Sequence, residues 1–347
     1  MVFTPWPHTQ IVAENCGEID PYHPKNHDLF RGEEAFDASV TGRERWSKPS
    51  PEPRLDAQFE GVLLDSIEQN AALINALARE LARQIAEKYS AGEKPILVAI
   101  LRAGLPICAL LGPLLEEKWG ELVPIRAFSL FYGLGWDDAA LAKIVAEFQG
   151  RPLVFVDGWT SGGSVALELN RAFEAWKIAG NPDFTRGQKP LLAVLCDPRG
   201  VADVSAVQSD VFVPSAPFTA PETLGFSRGF AREVGELFGV YTFPRALLKP
   251  HWQSAWLQIL QGEIAPLPQS EIAPFKATPP GVRIHLNEVT RALINRSPRE
   301  IWLHDDENTA RKTLGPLLHL AGLRGVPVQF GSEKPRQWGA RAAAPGA

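Results

Sequence analysis

Residues 152–164 read PLVFVDGWTSGGS. Leu153, Val154, Phe155 and Val156 form an unbroken apolar run, the pattern of a parallel strand buried on both faces. The run ends in one acid, Asp157. After it come Thr160, Ser161, Gly162, Gly163 and Ser164, which lead into VALELNRAFEAW, where Val165, Leu169 and Phe173 recur at helical spacing. The small-residue loop therefore opens a helix, and a helix N-terminus attracts anions. Glycines allow close approach, hydroxyls donate hydrogen bonds, and Asp157 can accept from a sugar diol beside a phosphate. A ribose 5-phosphate fits this order of groups. A Walker loop requires GxxxxGK[ST], but no Lys follows these glycines, and a dinucleotide fingerprint requires GxGxxG, where this loop has GWTSGG. An ordinary strand-to-helix turn also favours Gly, Ser and Thr and stays open as an alternative.

A second run of the same kind, KPILVAILRAGLP (94–106), ends in Arg102, Ala103 and Gly104. Small residues again leave the backbone accessible to phosphate, and Arg102 offers a planar charged fork. A cation at a strand end with no ligand is the alternative. Further strands are expected at 121–131, 190–203 and 210–216, with helices over 62–89, 137–148 and 165–178. This alternation predicts an α/β fold with an open, mostly parallel sheet. Ligands in such sheets sit beyond the carboxyl ends of the strands, where Arg102, Asp157 and Asp197 are expected, with Arg199 close to Asp197 as a further pocket candidate.

The loop at 152–164 resembles the phosphoribosyl diphosphate (PRPP) loop of type I phosphoribosyltransferases, and 94–106 is similar to the pyrophosphate loop of the uracil-type members. The resemblance implies the 5-phosphate on residues 160–164, the ribose diol on Asp157 and the pyrophosphate near Arg102, Ala103 and Gly104. Asp157 and Arg102 would be the catalytic residues. Mg²⁺ would be carried by the diphosphate, with no protein metal site. In that family two adjacent acids end the strand, whereas here the first position is Val156. YGLGWDD (132–138) falls where the family has a mobile lid, but it contains no Lys or Arg, so cationic charge would come from Arg102, Arg199 or Lys143. Residues 215–230 would form the hood that selects the nucleophile. The set LRAGLP, FVDGWTSGGS, DPRGVAD and VPSAPFTAPETLGFSRGF is similar, over most of the chain, to the phosphoribosyltransferase-like domain encoded with tellurium-resistance and stress-response genes, a group also labelled cysteine protease StiP. Phosphoribosyl transfer to an unknown nucleophile is the implied activity. The alternatives are a non-catalytic nucleotide or RNA sensor and, third, a cysteine protease.

Residues 262–281 are rich in Pro and read as a linker. Beyond them VRIHL, a helix from Asn287, EIWLHDD, a helix over 307–323 and VPVQF predict a second, smaller α/β domain over 282–335, with 336–347 as a tail. HLNEVTRAL resembles the kink-turn RNA signature of the Pelota and ribosomal-protein family, which implies a structured RNA partner read by Asn287, Glu288 and Arg291. Asn and Glu at a helix start can read base edges, and Arg291, one turn past Glu288, faces the same way. Asn is equally a good N-cap. His285 stands where that family has Gly.

A net charge of −5 gives no general nucleic-acid field, so any RNA contact would be local. No signal pattern and no long uncharged apolar run are present, which predicts a cytoplasmic protein without a membrane partner. Residues 1–60 read as an irregular arm, the domain after it as 61–261. The expected partners are PRPP or a ribonucleotide, RNA, and, left open, a second copy as a homodimer. Of the three cysteines, Cys108 reads as core, Cys196 as bordering the pocket and Cys16 as unpartnered, and His23 and His27 form an isolated pair rather than a zinc site.

Overall fold

The apolar run at 153–156 needs a strand on each side and a helix layer on each face, and the tertiary structure supplies both. The computed structural model describes residues 2, 4–31, 40–54, 56–89, 93–185, 187–218, 221–269 and 277–346. In chain order the strands are β1 (Thr9–Ile11), β2 (Glu14–Glu18), β3 (Ile96–Ile100), β4 (Ile125–Phe128), β5 (Leu130–Phe131), β6 (Gly135–Trp136), β7 (Leu153–Trp159), β8 (Leu191–Cys196), β9 (Val204–Val207), β10 (Gly239–Thr242), β11 (Val282–Ile284), β12 (Ile301–Leu303), β13 (Val328–Gln329) and β14 (Ala342–Pro345). The helices are α1 (Gly42–Arg45), α2 (Ala57–Lys88), α3 (Gly104–Trp119), α4 (Asp138–Glu147), α5 (Ser164–Ile178), α6 (Pro221–Leu224), α7 (Pro250–Gln258), α8 (Leu286–Asn295), α9 (Glu307–Thr313) and α10 (Gly315–Arg324).

The main sheet has six strands in the order β1-β4-β3-β7-β8-β9, and every neighbouring pair is parallel. All seven residues of β7 are buried, as an interior parallel strand requires. From β3 the chain crosses to β4 on one side and then returns to β7 on the other. The ends of β3 and β7 therefore flank the point where strand order reverses, the place where open α/β sheets hold ligands.

One face of the sheet packs on α2 and α3 through Leu63, Ile74, Leu81, Leu105 and Val154, and the other carries an aromatic cluster of Trp136, Phe155, Phe173, Trp176 and Phe184. The spine is α2, capped by the Asp56 carboxylate accepting from Phe59 N at 2.6 Å. Its apolar stripe recurs every three or four residues and serves both halves of the chain, since the Asn70 amide donates to Thr313 O at 3.3 Å.

Several expectations are corrected. The arm at 1–60 is not irregular throughout: β1 forms the sheet edge beside β4, and β2 pairs with β10. Part of it, 32–39, lies outside the described residues, as do 270–276 of the linker and 219–220 of the expected hood. The run at 121–131 is broken, with β4 in the main sheet and β5 turning back on β6 as a hairpin. The strand expected at 210–216 is absent; β9 occupies that place in the sheet, and 211–213 is buried without ladder partners. The 336–347 tail is a tail in neither position nor role. Its residues 342–345 form β14, which sits between β11 and β12 in a four-stranded sheet ordered β11-β14-β12-β13. The 307–323 helix is two helices, α9 and α10, which meet at Leu314 ahead of Gly315 and Pro316. Among the described residues no helix is long and apolar enough to cross a membrane.

Candidate functional site

The carboxyl ends of β3 and β7, the start of α5 and one face of α8 enclose a cavity of about 410 Å³. The phosphate-type loop lies along its floor, where Thr160, Ser161, Gly162, Gly163 and Ser164 all line it. Gly163 takes a left-handed conformation, φ +81°, which a glycine enters freely and which turns the chain into α5. Two hydroxyls of the loop are already engaged. Thr160 Oγ1 donates to Asp197 Oδ1, and Ser161 Oγ lies 2.7 Å from His285 Nδ1 and 3.1 Å from Ile284 O.

Asp157 stands at the tip of β7 with 8% exposure and accepts from Gly158 N at 2.8 Å. Burial pushes its carboxyl up to about 7, against the lowering effects of the Gly158 N–H and of Arg291, and Glu288 adds a smaller upward push. Val156 faces the opposite way into the apolar core and is fully buried. An acid in its place would enter hydrocarbon, not the cavity.

Arg102, 8% exposed, lines the opposite wall. Its Nη1 donates to both oxygens of Glu52, at 3.0 and 3.2 Å, while its Nε is buried without a hydrogen-bond partner. Glu52 comes from the N-terminal arm, and burial raises its carboxyl while Arg102 and then Arg228 oppose the rise. Ala103 lines the cavity; Gly104 does not. A Cβ on Gly104 would stand 2.0 Å from Val156 O, so this glycine is there to let α3 touch β7. Its expected role in phosphate binding is corrected to one of packing.

Asp197 and Arg199 are corrected likewise. Asp197 is fully buried outside the cavity, accepting from Thr160 Oγ1, Arg199 N and Ala202 N. It buttresses the loop and the β8–β9 turn and touches no ligand space. Arg199 is also outside the lining, with Nη2 at 3.4 Å from Thr278 Oγ1. The segment at 132–138 is no open lid, since Trp136 is buried in the aromatic cluster and Gly133 N donates to Glu168 Oε2 at 3.0 Å. Lys143 lies exposed on α4, away from the cavity.

The RNA-type residues of α8 point inward. The Asn287 side chain is 1% exposed, accepting from Val213 N at 2.8 Å and donating to Val211 O at 2.8 Å. It replaces the missing ladder partner of 211–213, so it is a folding residue and not a base reader in this arrangement. Glu288 and Arg291 line the cavity itself, with Glu288 Oε1 accepting from Trp159 Nε1 at 3.0 Å. His285 has φ +74°, the conformation that makes Gly the usual choice there, and is buried against Ser161. Burial lowers its pKa.

Arg228, Arg283 and Glu52 were not singled out from the sequence. Arg228 lay inside the FSRGF stretch as a lone cation among small and aromatic residues, which was a usable signal. Nothing local marks Glu52. Burial, then the charges of Arg291 and Arg102, bring Arg228 down to about 9. Cys108 and Cys196 are buried with their thiols pushed up by desolvation, and exposed Cys16 is also raised, burial being the main cause. No hydrogen bond joins a described Cys to a His. Among the described residues there is no group of three or more His, Cys, Asp or Glu side chains able to hold a metal. A larger cavity of about 570 Å³, lined by Asn70, Asp210 and Arg341 among others, lies where α2 meets the C-terminal unit and contains none of the strand-end residues.

The family model described as "Tellurite-like stress resistance cysteine protease StiP" matches residues 37–243. A curated relative, the "Cysteine protease StiP" of Acinetobacter baylyi, is 32% identical over 137 residues, which is 40% of this chain and 33% of the relative. The match thus spans about a third of that relative's length. Among solved structures, the chain is similar to the HGPRT-ase of Leishmania tarentolae in complex with GMP (18% identity, TM-score 0.27, covering 40% of this chain and 72% of that one). It is similar also to the hypoxanthine phosphoribosyltransferase of Trypanosoma cruzi (16%, TM-score 0.29, 41% and 77%). A hypothetical protein from Neisseria gonorrhoeae with bound ppGpp is a third (16%, TM-score 0.27, 39% and 77%). At these TM-scores the fold rests on its own strand order.

Proposed function

The chain belongs to the StiP family, and we propose that its strand-end cavity binds a phosphorylated ribose of the PRPP type and transfers the phosphoribosyl group to a nucleophile. The observation that carries this reading is the meeting, in one cavity at the sheet's switch point, of the Asp157 carboxylate, the glycine and hydroxyl loop heading α5, and Arg102. The loop N–H groups and the α5 N-terminus suit the 5-phosphate. Asp157 suits the ribose hydroxyls, and its carboxylate would stabilise positive charge developing at the anomeric carbon. In the transfer, the nucleophile's lone pair forms the new bond to that carbon, the carbon–oxygen bond breaks, and its electron pair leaves with pyrophosphate.

Magnesium fits only as a companion of the diphosphate, because the cavity's carboxylates, Asp157 and Glu288, are two and not a cluster. Bound with the ligand it would neutralise diphosphate charge.

A second reading, a ribonucleotide sensor without turnover, is favoured by the Glu52 carboxylate already held on the Arg102 fork. The family's protease description requires an activated thiolate, and the raised thiols of Cys108, Cys196 and Cys16 speak against one.

Calorimetry of the full chain with PRPP and magnesium tests the binding. Wild type is expected to bind, and Asp157→Asn to bind about tenfold or more weakly through loss of charge-assisted hydrogen bonds. No binding by wild type overturns the assignment. Pyrophosphate release on adding nucleobases distinguishes transferase from sensor.

A further inference from the structure

The cavity has a second wall that belongs to the C-terminal unit. Thr278, Pro279, Val282, Arg283, Glu288 and Arg291 all border the same space as the phosphate-type loop. The two units also interlock at that point, through Ser161 with His285 and through Trp159 with Glu288. A ligand on the loop therefore faces α8.

The cations of the cavity are unevenly neutralised. Arg102 is paired with the buried Glu52 carboxylate. Arg228 and Arg291 have no ion pair among the described residues, and their hydrogen bonds there are long: Arg228 Nη1 to Ser50 Oγ at 3.4 Å and Arg291 Nη1 to Ala216 O at 3.4 Å. Burial is the largest force against both guanidiniums, with Arg291 and Arg102 adding to it at Arg228 and Arg102 at Arg291, while the carboxylates of Glu52 and Glu288, and Asp157 at Arg291, offset only part of it, so an added anion would be favoured beside the pair. The buried Nε of Arg102 is a donor aimed at nothing. Such a cluster calls for an anion of more than one charge. Meanwhile β7 supplies one carboxylate, Asp157, and α8 supplies the other, Glu288.

We propose that α8 is half of the ligand site: Arg291 and Arg228 clamp the second phosphoryl-bearing group of a ribose that already has one phosphate on residues 160–164, and Glu288 provides a second carboxylate beside Asp157. The C-terminal unit is then a working wall of the pocket. This rests on the phosphorylated-ribose reading above and adds to it the residues that select a doubly anionic ligand over a monophosphate.

The test is calorimetry of the full chain with two probes, inorganic pyrophosphate and ribose 5-phosphate, on wild type, Arg291→Ala, Arg228→Ala, Arg291→Lys and Glu288→Gln, each checked for an unchanged melting temperature. Arg291→Ala and Arg228→Ala are expected to weaken pyrophosphate by about 10- to 100-fold, as loss of a charge-assisted fork does, and to leave ribose 5-phosphate within about threefold. Glu288→Gln is expected to weaken ribose 5-phosphate instead. If Arg291→Ala does not fold, Arg291→Lys decides, with a several-fold loss of pyrophosphate expected from a point charge replacing a fork. Ribose 5-phosphate binding with pyrophosphate affinity unmoved by Arg291 and Arg228 substitutions overturns the clamp and leaves the phosphorylated-ribose reading standing. Wild type that binds neither probe overturns that reading, and the clamp with it.

Discussion

Asp157 shows how far a single group's chemistry depends on where the strand delivers it. A carboxyl at an exposed strand end would ionise near 3.8, but enclosed by α8, Trp159 and the loop it is raised to about 7. The sign of the consequence follows from linkage. Between about 4 and 7 the folded state keeps a proton that the unfolded chain has lost, so this group's contribution to stability falls as pH rises through that window and is fully unfavourable above it. Asp157→Asn removes the effect. Its stability relative to wild type is expected to improve from pH 5 to pH 8 by up to about 3 kcal/mol, a ceiling set by the roughly two units between pH 5 and the folded value of about 7. Urea denaturation at the two pH values measures it, and a difference independent of pH contradicts it. His285 shows a similar constraint in its backbone, since its φ of +74° lies in a region that side chains other than Gly rarely adopt.

At the level of elements, the main strands were legible and their partners less so. Runs such as 153–156 announce themselves because an interior parallel strand is apolar on both faces, and β3, β7 and β8 fall where the pattern puts them. The same rule misreads 210–216. That segment is apolar because it is buried, but its backbone is satisfied by the Asn287 amide and not by a strand. Asn287→Ala would strand Val213 N and Val211 O in the interior, so a loss of about 2–4 kcal/mol is expected, read as a lowered urea midpoint with the m-value unchanged. A stability within 0.5 kcal/mol of wild type, about the size of a neutral surface change, would show that water reaches those groups. An RNA assay on this variant would report folding before it reported recognition. Gly104 is the converse case: a glycine that reads as phosphate-friendly is demanded by the Val156 carbonyl packed against α3.

Across the whole molecule, one apolar core runs from the main sheet through α2 into α8, α10 and β14. The proline-rich junction suggests a tethered module, yet Asn75 Nδ2 donates to Gly262 O and Glu263 O, both at 3.1 Å, and Ala265 N donates to Ala72 O at 3.0 Å, which pins the first part of that junction along α2. Two units that share a core cannot expose it one at a time without large cost. Thermal unfolding is therefore expected as one transition, with calorimetric and van't Hoff enthalpies equal within error. Two resolved transitions would show that the units are energetically separate.

By itself the chain's sequence determined the α/β class, the strand-loop-helix at 152–164 and the companion strand end at Arg102. These are local matters, written in the periodicity of apolar residues and in the company that an acid or a glycine keeps over a dozen positions. Tertiary structure alone decided that Glu52 pairs with Arg102, that Arg228 and Arg291 face the same cavity, that Asp197 is a buttress, and that the final residues form a central strand. Each of these joins groups far apart in the chain, and the energy that selects them comes from burying charge and backbone together in one core. No window of sequence contains that information, because it exists only once the distant segments exclude water from each other.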